Sequence, residues 1–441
     1  MKRRVAPGLL RGSRERPWSG RLIRNAIALM ISAGGSAILG LAFWGVAAHL
    51  ATAQAVGRTS AEIVAMTMVA NLAQLSFGSI FERFLPVAGT RTRSFIKRAY
   101  SMCVATALVL SVIYVFSGLG RHVVPHTRFG QIFFIVTAVM WTIFVLQDNA
   151  LVGLRASRWV PVENILFAIA KLALLPVMLW VSAAQGVFLA WSAPVVLTII
   201  CVNWYLFGRR IPEHESLKLP NESLPKSREL FFLAGAQYAT LLFSVFTPSI
   251  VALIVIERLG PVANAHYYVP SLIYTGLSLI IVSIIRSFLV EAASEPHHLR
   301  RHTNMAIVAM TAVLIPTVTI GVIFASDFLR IFGTDYADRG TTLLRMMLLS
   351  LPLSAVPLFY STFAWLDRRV WWMTVRNLVD VVVFFCVMFA LIGHYGILSI
   401  GIGFLASSAL QGIFFLPISI KRYRMTSNSD PPNTDSLGAP A

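Results

Sequence analysis

The chain has 441 residues, of which 57% are hydrophobic and only 13% carry a charge. This composition lies outside the range of a water-soluble globular domain, so it predicts a protein that is dissolved in a lipid bilayer. The apolar runs are about 20 residues long, which suits membrane-crossing helices, whereas a β-barrel would show shorter alternating segments. The three cysteines lie far apart within apolar runs and indicate neither a disulfide framework nor a CxxC site.

About twelve apolar spans follow one another along the chain. They are predicted at residues 22–48, 60–83, 98–119, 129–152, 161–181, 187–208, 229–256, 264–288, 303–326, 340–364, 371–393 and 397–420. A basic arm (1–21) precedes them, and a polar tail that is typical of disorder (421–441) follows them. The longest loop (209–228) contains prolines and alternating charges, which indicate a solvated linker between two halves.

Charge is distributed unevenly between the two sides of the predicted membrane. The net charge is +18, and most of the 37 lysines and arginines fall on the side that carries both termini. By the positive-inside rule this side is cytosolic. We therefore expect a multi-pass protein of the bacterial inner membrane with both termini in the cytosol. Because the basic residues lie at the ends of the spans, as the positive-inside rule requires, the net charge does not indicate a nucleic-acid partner.

The two halves carry similar phrases at corresponding positions. SIFERFL (79–85) closes the second span, and SIIRSFL (283–289) closes the eighth. Internal repeats of this kind are typical of transporters. The predicted fold is an all-α polytopic membrane protein with a six-helix lobe at 22–208 and another at 229–420.

Sequence signatures of catalysis do not occur in the chain. It contains no GxxxxGK[ST] phosphate loop, HExxH, GxSxG or CxxC motif, so we expect neither an enzyme nor a cofactor. The main acidic cluster on the predicted outer side comprises Asp327, Asp335 and Asp338. Since Gly333 interrupts the helix there, we interpret this cluster as an interfacial turn and assign it no metal.

Charged residues within a span are costly and are therefore functional candidates. Asp148 lies near the inner end of span four and Lys171 lies in the middle of span five, so these residues either form a structural ion pair or take part in ion coupling. Asp380 lies in span eleven, one turn from Arg376, and has the same two interpretations.

Large polar side chains in the second, seventh and eighth spans are Gln74, Gln237 and His266. Such groups either join helices through hydrogen bonds or face a wet cavity.

Arginines near these helices are candidate partners for an anionic substrate, because a guanidinium binds a phosphate through two parallel hydrogen bonds. Arg24, Arg83 and Arg286 lie at the predicted inner face, and Arg58 lies on the first outer turn. Arginines at the inner face also satisfy the positive-inside rule without any binding role.

Three stretches resemble a known family. They are residues 24–86, with a first span, Val56-Gly57 in the outer turn, Gly78 and a closing RFLP; LRIFGTDYADRGTTLLRMM (329–347); and NAHYYVPSLIY (264–274). In their order along the chain they resemble polysaccharide flippases of the Wzx type, which belong to the multidrug/oligosaccharidyl-lipid/polysaccharide (MOP) exporter superfamily.

This resemblance implies two six-helix lobes around a central cleft that opens alternately to the two sides. The implied cargo is a polyprenyl-pyrophosphate-linked oligosaccharide for cell-envelope polysaccharide assembly. Membrane lipids, a polysaccharide polymerase and glycosyltransferases are the implied partners. Two alternatives stay open from the sequence: a small-molecule or drug exporter of the same fold, and a membrane enzyme or non-transporting scaffold.

Overall fold

A computed structural model describes residues 35, 37–216, 238, 247–294, 299–366 and 370–426. Within these residues the regular structure is entirely helical. The helices are α1 (Ala37–Leu50), α2 (Ala53–Ala73), α3 (Phe77–Phe84), α4 (Thr92–Phe116), α5 (Arg128–Gly153), α6 (Trp159–Val181), α7 (Gly186–Tyr205), α8 (Ile211–Ser216), α9 (247–259), α10 (Pro261–Ser294), α11 (Leu299–Ile323), α12 (Ala325–Arg330), α13 (Thr334–Leu366), α14 (Val370–Tyr395) and α15 (Leu398–Thr426).

Most of these helices suit a bilayer. In the described ranges, nine are long and apolar enough to cross a membrane, and the pair formed by α2 and α3 makes ten. The shorter apolar helix α1 belongs to the predicted first span, and α9 belongs to the predicted seventh. The all-helical fold class is thus confirmed, while parts of the predicted first and seventh spans lie outside the described residues.

The second predicted span differs from the prediction in both position and shape. It begins at Ala53 rather than at residue 60, and α2 and α3 meet at an angle of 50°. Leu75 (φ 48°) and Ser76 (φ 62°) adopt the left-handed conformation between the two helices. This conformation is unfavourable for side chains with a Cβ and stops α-helical propagation. The span is therefore broken about two turns before its inner end.

Local residue chemistry explains several helix ends. Thr52 and Thr127 cap α2 and α5, since their hydroxyls accept hydrogen bonds from the backbone amides of Ala55 and Gly130. Gly333 separates α12 from α13 with a φ of +125°, which side chains with a Cβ rarely adopt. The predicted helix break at Gly333 is therefore observed.

The first residues of the predicted linker and of the predicted tail are helical, which the sequence did not indicate. Residues Leu206–Arg210 continue α7 as a π-helical turn that leads into α8. The Arg93 guanidinium donates to the Phe207 carbonyl (3.2 Å), and Glu215 Oε1 accepts from the Arg93 amide (2.9 Å). The start of the linker at 209 thus packs on the first half. Likewise, α15 continues to Thr426, beyond the predicted end at 420.

Within the described residues, the two halves of the chain share one hydrophobic core, which reaches one membrane face. Charge predicts this face to be extracytosolic, and we call it the outer end. The shared core includes Val56 and Val123 from the first half and Ala265 and Phe332 from the second. At the inner end the described residues form separate cores, one around Ile96 and Leu154 and the other around Phe288 and Phe363.

Candidate functional site

Helix α2 of the first half touches α10 of the second half at the outer end. Gly57 permits this approach, because a Cβ added there would lie 1.7 Å from the Pro261 carbonyl oxygen. Beside it, the Asn264 amide donates to the Gly57 carbonyl (2.8 Å) and to the Ser60 hydroxyl (3.0 Å). All three polar groups are buried. The two halves are therefore joined by main-chain contact and hydrogen bonds at their outer ends.

A group of charged side chains joins the same ends at the surface. Arg121 Nη2 lies 2.7 Å from Glu257 Oε1, and His122 Nε2 lies 3.5 Å from Glu257 Oε2. Arg121 and His122 lie in the loop between α4 and α5, and Glu257 lies at the end of α9. These residues bridge the two halves, so contacts between charged side chains as well as packing join the halves at the outer end.

Predicted binding arginines occupy both ends of the molecule. Arg58 is exposed at the outer end of α2, whereas Arg83 and Arg286 are exposed towards the inner ends of α3 and α10. The Arg83 guanidinium lies over the Phe84 ring at 5.2 Å. Arg24 and Gln237 lie outside the described residues.

Gln74 and His266 are buried within networks of their own. Gln74 lies at the bend of the second span, where its amide donates to Asn71 Oδ1 (3.1 Å). His266 Nε2 lies 2.7 Å from Asp335 Oδ2, and Asp335 Oδ1 lies 3.0 Å from Arg339 Nε. The histidine thus fixes α10 to the first turn of α13, which is a structural contact within the second half.

Lys171 does not pair with Asp148, in contrast to one of the two interpretations of the sequence. Its ammonium lies 3.5 Å from the centroid of the Trp191 ring, 5.1 Å from that of Phe167 and 5.2 Å from that of Phe43. Lys171 is 5% exposed. Within the described residues no carboxylate lies at ion-pair distance from it. Aromatic faces from α1, α6 and α7 therefore enclose a positive charge inside the first half.

The rings around Lys171 extend to the second half. Phe43 packs edge-on against Trp44, and Trp44 in turn meets Tyr268 of α10 at a centroid distance of 4.8 Å. Sequence reasoning missed this cluster, because its rings come from separate helices and meet only through the packing of those helices.

Asp380 lies in a polar cluster of the second half. The Gln411 amide donates to Asp380 Oδ1, and Arg376 donates to Asn377 Oδ1. Both contacts lie among α14 and α15, whose side chains are otherwise largely apolar. Arg376 and Asp380 interact electrostatically, while each side chain also forms a hydrogen bond with an amide.

An apolar groove lies between the halves beside α1. Its volume is ≈ 950 Å³. Residues of α1 such as Leu41 and Val46 form one wall, and Ile273, Pro316 and Leu348 from α10, α11 and α13 form the other. Almost all of its lining is hydrocarbon, so in the described part of the chain this groove suits an apolar chain better than a polar headgroup.

Comparison with known proteins identifies the fold. No protein-family model matches the chain, and no curated protein matches it by sequence. Among solved structures, an inward-facing multidrug resistance MATE family transporter of the MOP superfamily aligns with 90% of this chain and 96% of its own, with a TM-score of 0.69 and 13% identity.

Two further structures align over a similar length. The outward-facing conformation of a multidrug resistance MATE family transporter gives a TM-score of 0.58 at 13% identity over 92% of this chain and 95% of its own. A MOP superfamily transporter from Pyrococcus furiosus, described as having a binding pocket of reverse polarity, also gives 0.58 and 13% over 92% and 96%. The chain therefore has the MATE-type fold of the MOP superfamily. The higher score of the inward-facing structure agrees with the closed outer end.

Proposed function

We propose that the protein is a transporter that moves a polyprenyl-pyrophosphate-linked oligosaccharide across the bacterial inner membrane by alternating access. The observation that carries this proposal is the buried ammonium of Lys171, which lies inside the first half without a carboxylate partner among the described residues. A lone interior cation favours an anionic cargo, because it supplies the countercharge that a pyrophosphate loses when it leaves water.

The sign of this charge also bears on the alternative cargo. A site for organic cations would be expected to present free carboxylates, and an ammonium would repel such a cargo. The Pyrococcus furiosus transporter is described as having a binding pocket of reverse polarity that suggests a different function. We apply the same reasoning to Lys171 and favour the lipid-linked glycan over a cationic drug.

The apolar groove beside α1 supports the second part of the proposal. A polyprenyl chain is long and purely hydrocarbon, and burial of each CH₂ group contributes about 0.8 kcal/mol. The groove offers apolar walls from both halves. Its position between the halves would let the lipid tail remain in an apolar environment while the headgroup crosses inside the protein.

The outer contacts support alternating access. A single transport cycle requires that the halves separate on the side where cargo is released. Here that step must break the Arg121–Glu257 ion pair and the Asn264 hydrogen bonds to α2. The Arg121–Glu257 ion pair is partly exposed and can therefore be exchanged at modest free-energy cost, whereas the Asn264 hydrogen bonds are buried. Arg58, Arg83 and Arg286 remain candidate pyrophosphate partners on the two sides.

Depletion of the protein in its native host tests the proposal. We expect lipid-linked glycan to accumulate in the cytosolic leaflet and surface polysaccharide to decline, with both effects reversed by re-expression of the wild type. The measurement is mass spectrometry of lipid-linked glycans together with assay of surface polymer. Unchanged lipid-linked pools combined with increased sensitivity to cationic drugs would contradict the proposal and favour the exporter.

A further inference from the structure

Polar side chains from four helices of the first half meet near their inner ends. They are Tyr100 (α4), Gln147 and Asp148 (α5), Glu163 and Asn164 (α6) and Asn203 (α7). Two of these residues are acids, and the sequence indicated only Asp148. We refer to the six residues as the inner polar cluster.

The hydrogen bonds of this cluster follow a definite order. Asn203 donates to Gln147 Oε1 (2.8 Å), and the Gln147 amide donates to Glu163 Oε1. Separately, the Asn164 amide donates to Asp148 Oδ2 (3.3 Å). Each carboxyl group thus accepts a hydrogen bond from one amide at one of its oxygens. The other oxygen of each acid takes no part in these bonds.

Those two remaining oxygens have no donor. Asp148 Oδ1 and Glu163 Oε2 are both buried and lack a hydrogen-bond partner in the described structure, although the two carboxyl groups lie within hydrogen-bonding reach of each other. Glu163 as a whole is 5% exposed. Two ionised carboxylates would repel each other here, whereas a single proton would turn one of them into a donor to the other.

Charges of opposite sign are absent around the pair in the part of the chain that is described. The ionisable groups that act on the two acids or on Tyr100 are the acids themselves, Tyr100 and Cys103 of α4. Arg210, the nearby base of the π-helical turn, binds Glu213 and the Leu154 carbonyl instead. Burial of an uncompensated charge costs several kcal/mol, so the pair needs a cation or a proton.

Two more oxygens of the inner polar cluster also lack a partner in the described structure. The Tyr100 hydroxyl and Asn203 Oδ1 are likewise buried without a partner. Asn203 lies three residues before the π-helical turn Leu206–Arg210, and π-helical turns within α-helices occur frequently at functional sites. Tyr100 lies close enough to Glu163 and Asp148 to interact with both acids electrostatically.

Glu163 lies close to the predicted cytosolic side of the first half. It also lines a predominantly apolar groove of ≈ 820 Å³ between α6 and α7, together with Trp159, Trp204 and Tyr205. Glu163 lies about one turn from the inner end of α6, so a proton needs to travel only a short distance from the predicted cytosolic surface.

We propose that Asp148 and Glu163 form a binding site for one exchangeable proton, which is shared between Asp148 Oδ1 and Glu163 Oε2 and reached from the inner side. The remaining members of the inner polar cluster hold the acids in place through Gln147 and Asn164. This site is separate from Lys171 and from the groove beside α1, and it does not depend on the identity of the cargo.

Infrared difference spectra of the full chain in lipid nanodiscs, recorded between acidic and alkaline pH, test this site directly. We expect the wild type to show the carbonyl band of a protonated carboxyl group that titrates with pH. Both Glu163→Gln and Asp148→Asn should lose this band. Glu213→Gln, which alters an exposed acid paired with Arg209 and Arg210, is the matched control and should retain it.

The thermal stability of the same samples provides a second readout. Loss of the shared proton at high pH leaves two carboxylates in contact, so the unfolding temperature of the wild type should fall as pH rises. In Glu163→Gln the new amide can donate permanently to Asp148, and the pH dependence should be reduced. A stable Glu163→Gln protein also shows that loss of the band is not the result of misfolding.

Three outcomes would overturn the proposal. They are a wild type without a titrating band, a band that persists in both variants, and a band that disappears when Na⁺ is added at constant pH, which would assign the site to the metal ion. None of these results involves the glycan, so failure here is distinguishable from failure of the proposed transport function.

Discussion

Lys171 is held at a cost to folding stability. Removing an ammonium from water costs several kcal/mol, and cation–π contacts each return about 0.5–2 kcal/mol. Trp191, Phe167 and Phe43 supply such contacts, but no carboxylate in the described residues completes the pairing. An apolar side chain of the same length would suit this position better. Retention of the charge therefore indicates a role other than stability.

Replacement of Lys171 separates these two effects. Lys171→Met removes the charge and keeps the volume, so we expect an unchanged or higher free energy of unfolding, by about 1–3 kcal/mol, together with a loss of transport. Lys171→Arg should retain part of the transport. Thermal unfolding in detergent measures the stability, and surface polysaccharide in complemented cells measures the transport. Lys97→Met, which changes an exposed lysine of α4, is the control. Full transport by Lys171→Met would exclude the ammonium from the site.

The sequence identified Lys171 but not its surroundings. A lysine in the middle of an apolar span stands out in a linear reading, because charge within a span is costly. Phe43, Phe167 and Trp191 come from three helices, and their convergence depends on how those helices pack. Glu163 was missed for another reason: it lies within one turn of a helix end, where snorkelling makes a charge inexpensive.

At the scale of elements, the second span shows what hydrophobic periodicity cannot predict. No proline lies at its bend, and the break results from the left-handed conformations of Leu75 and Ser76. Ser76 is buried, and its hydroxyl has no partner in the described structure. A strained, unsatisfied residue of this kind is maintained by the packing around it rather than by its own preference.

Relief of this strain should stabilise the protein. Glycine adopts a positive φ without steric penalty, so we expect Ser76→Gly to raise the free energy of unfolding by about 1 kcal/mol. The matched change Ser79→Gly lies within α3, where glycine should lower it by about 0.5–1 kcal/mol. Denaturant or thermal unfolding measures both. A lower stability of Ser76→Gly than of Ser79→Gly would show that the bend is not strained.

Contact between α2 and α10 should control the equilibrium between conformations. The Cβ in Gly57→Ala would overlap the Pro261 carbonyl, so the closed outer end should lose about 1–3 kcal/mol relative to an open form, on the order of a 5–150-fold population shift. The reactivity of Ser60→Cys with an aqueous thiol reagent measures this shift. Exposed Cys201 and Cys386 would first be replaced by serine.

Gly276→Ala is the control for this change. Gly276 lies in α10, the helix that α2 contacts, and a Cβ added there would meet nothing within 4 Å. We expect Gly276→Ala to leave Ser60→Cys as unreactive as in the parent. Equal reactivity in the Gly57→Ala and Gly276→Ala proteins would refute the importance of this contact.

At the scale of the whole molecule, composition and the length of the apolar runs predicted the all-helical architecture. Apolar runs long enough to cross a bilayer become helices because lipid offers no alternative hydrogen bonds to the backbone. Helix α5, predicted at 129–152 and observed at Arg128–Gly153, shows how closely this reasoning places a span. Composition cannot predict which ends of the two halves meet, since that depends on contacts such as Asn264 with Gly57. The boundaries of the predicted lobes and tails remain predictions.

The central claim, transport of a lipid-linked glycan by alternating access, is tested most directly in proteoliposomes. The purified full chain, with Arg121→Cys and Glu257→Cys in a background that lacks Cys201 and Cys386, would be reconstituted with the lipid-linked glycan extracted from depleted cells. A lectin that cannot cross the membrane reports glycan arriving in the exposed leaflet. We predict that the glycan arrives rapidly. Arrival should stop when a reducible bis-thiol reagent joins the two cysteines and should recover when the reagent is reduced. The same reagent should not affect arrival in the single variant Glu257→Cys. Arrival at the rate of protein-free liposomes, or equal arrival in the joined and reduced states, would contradict the account.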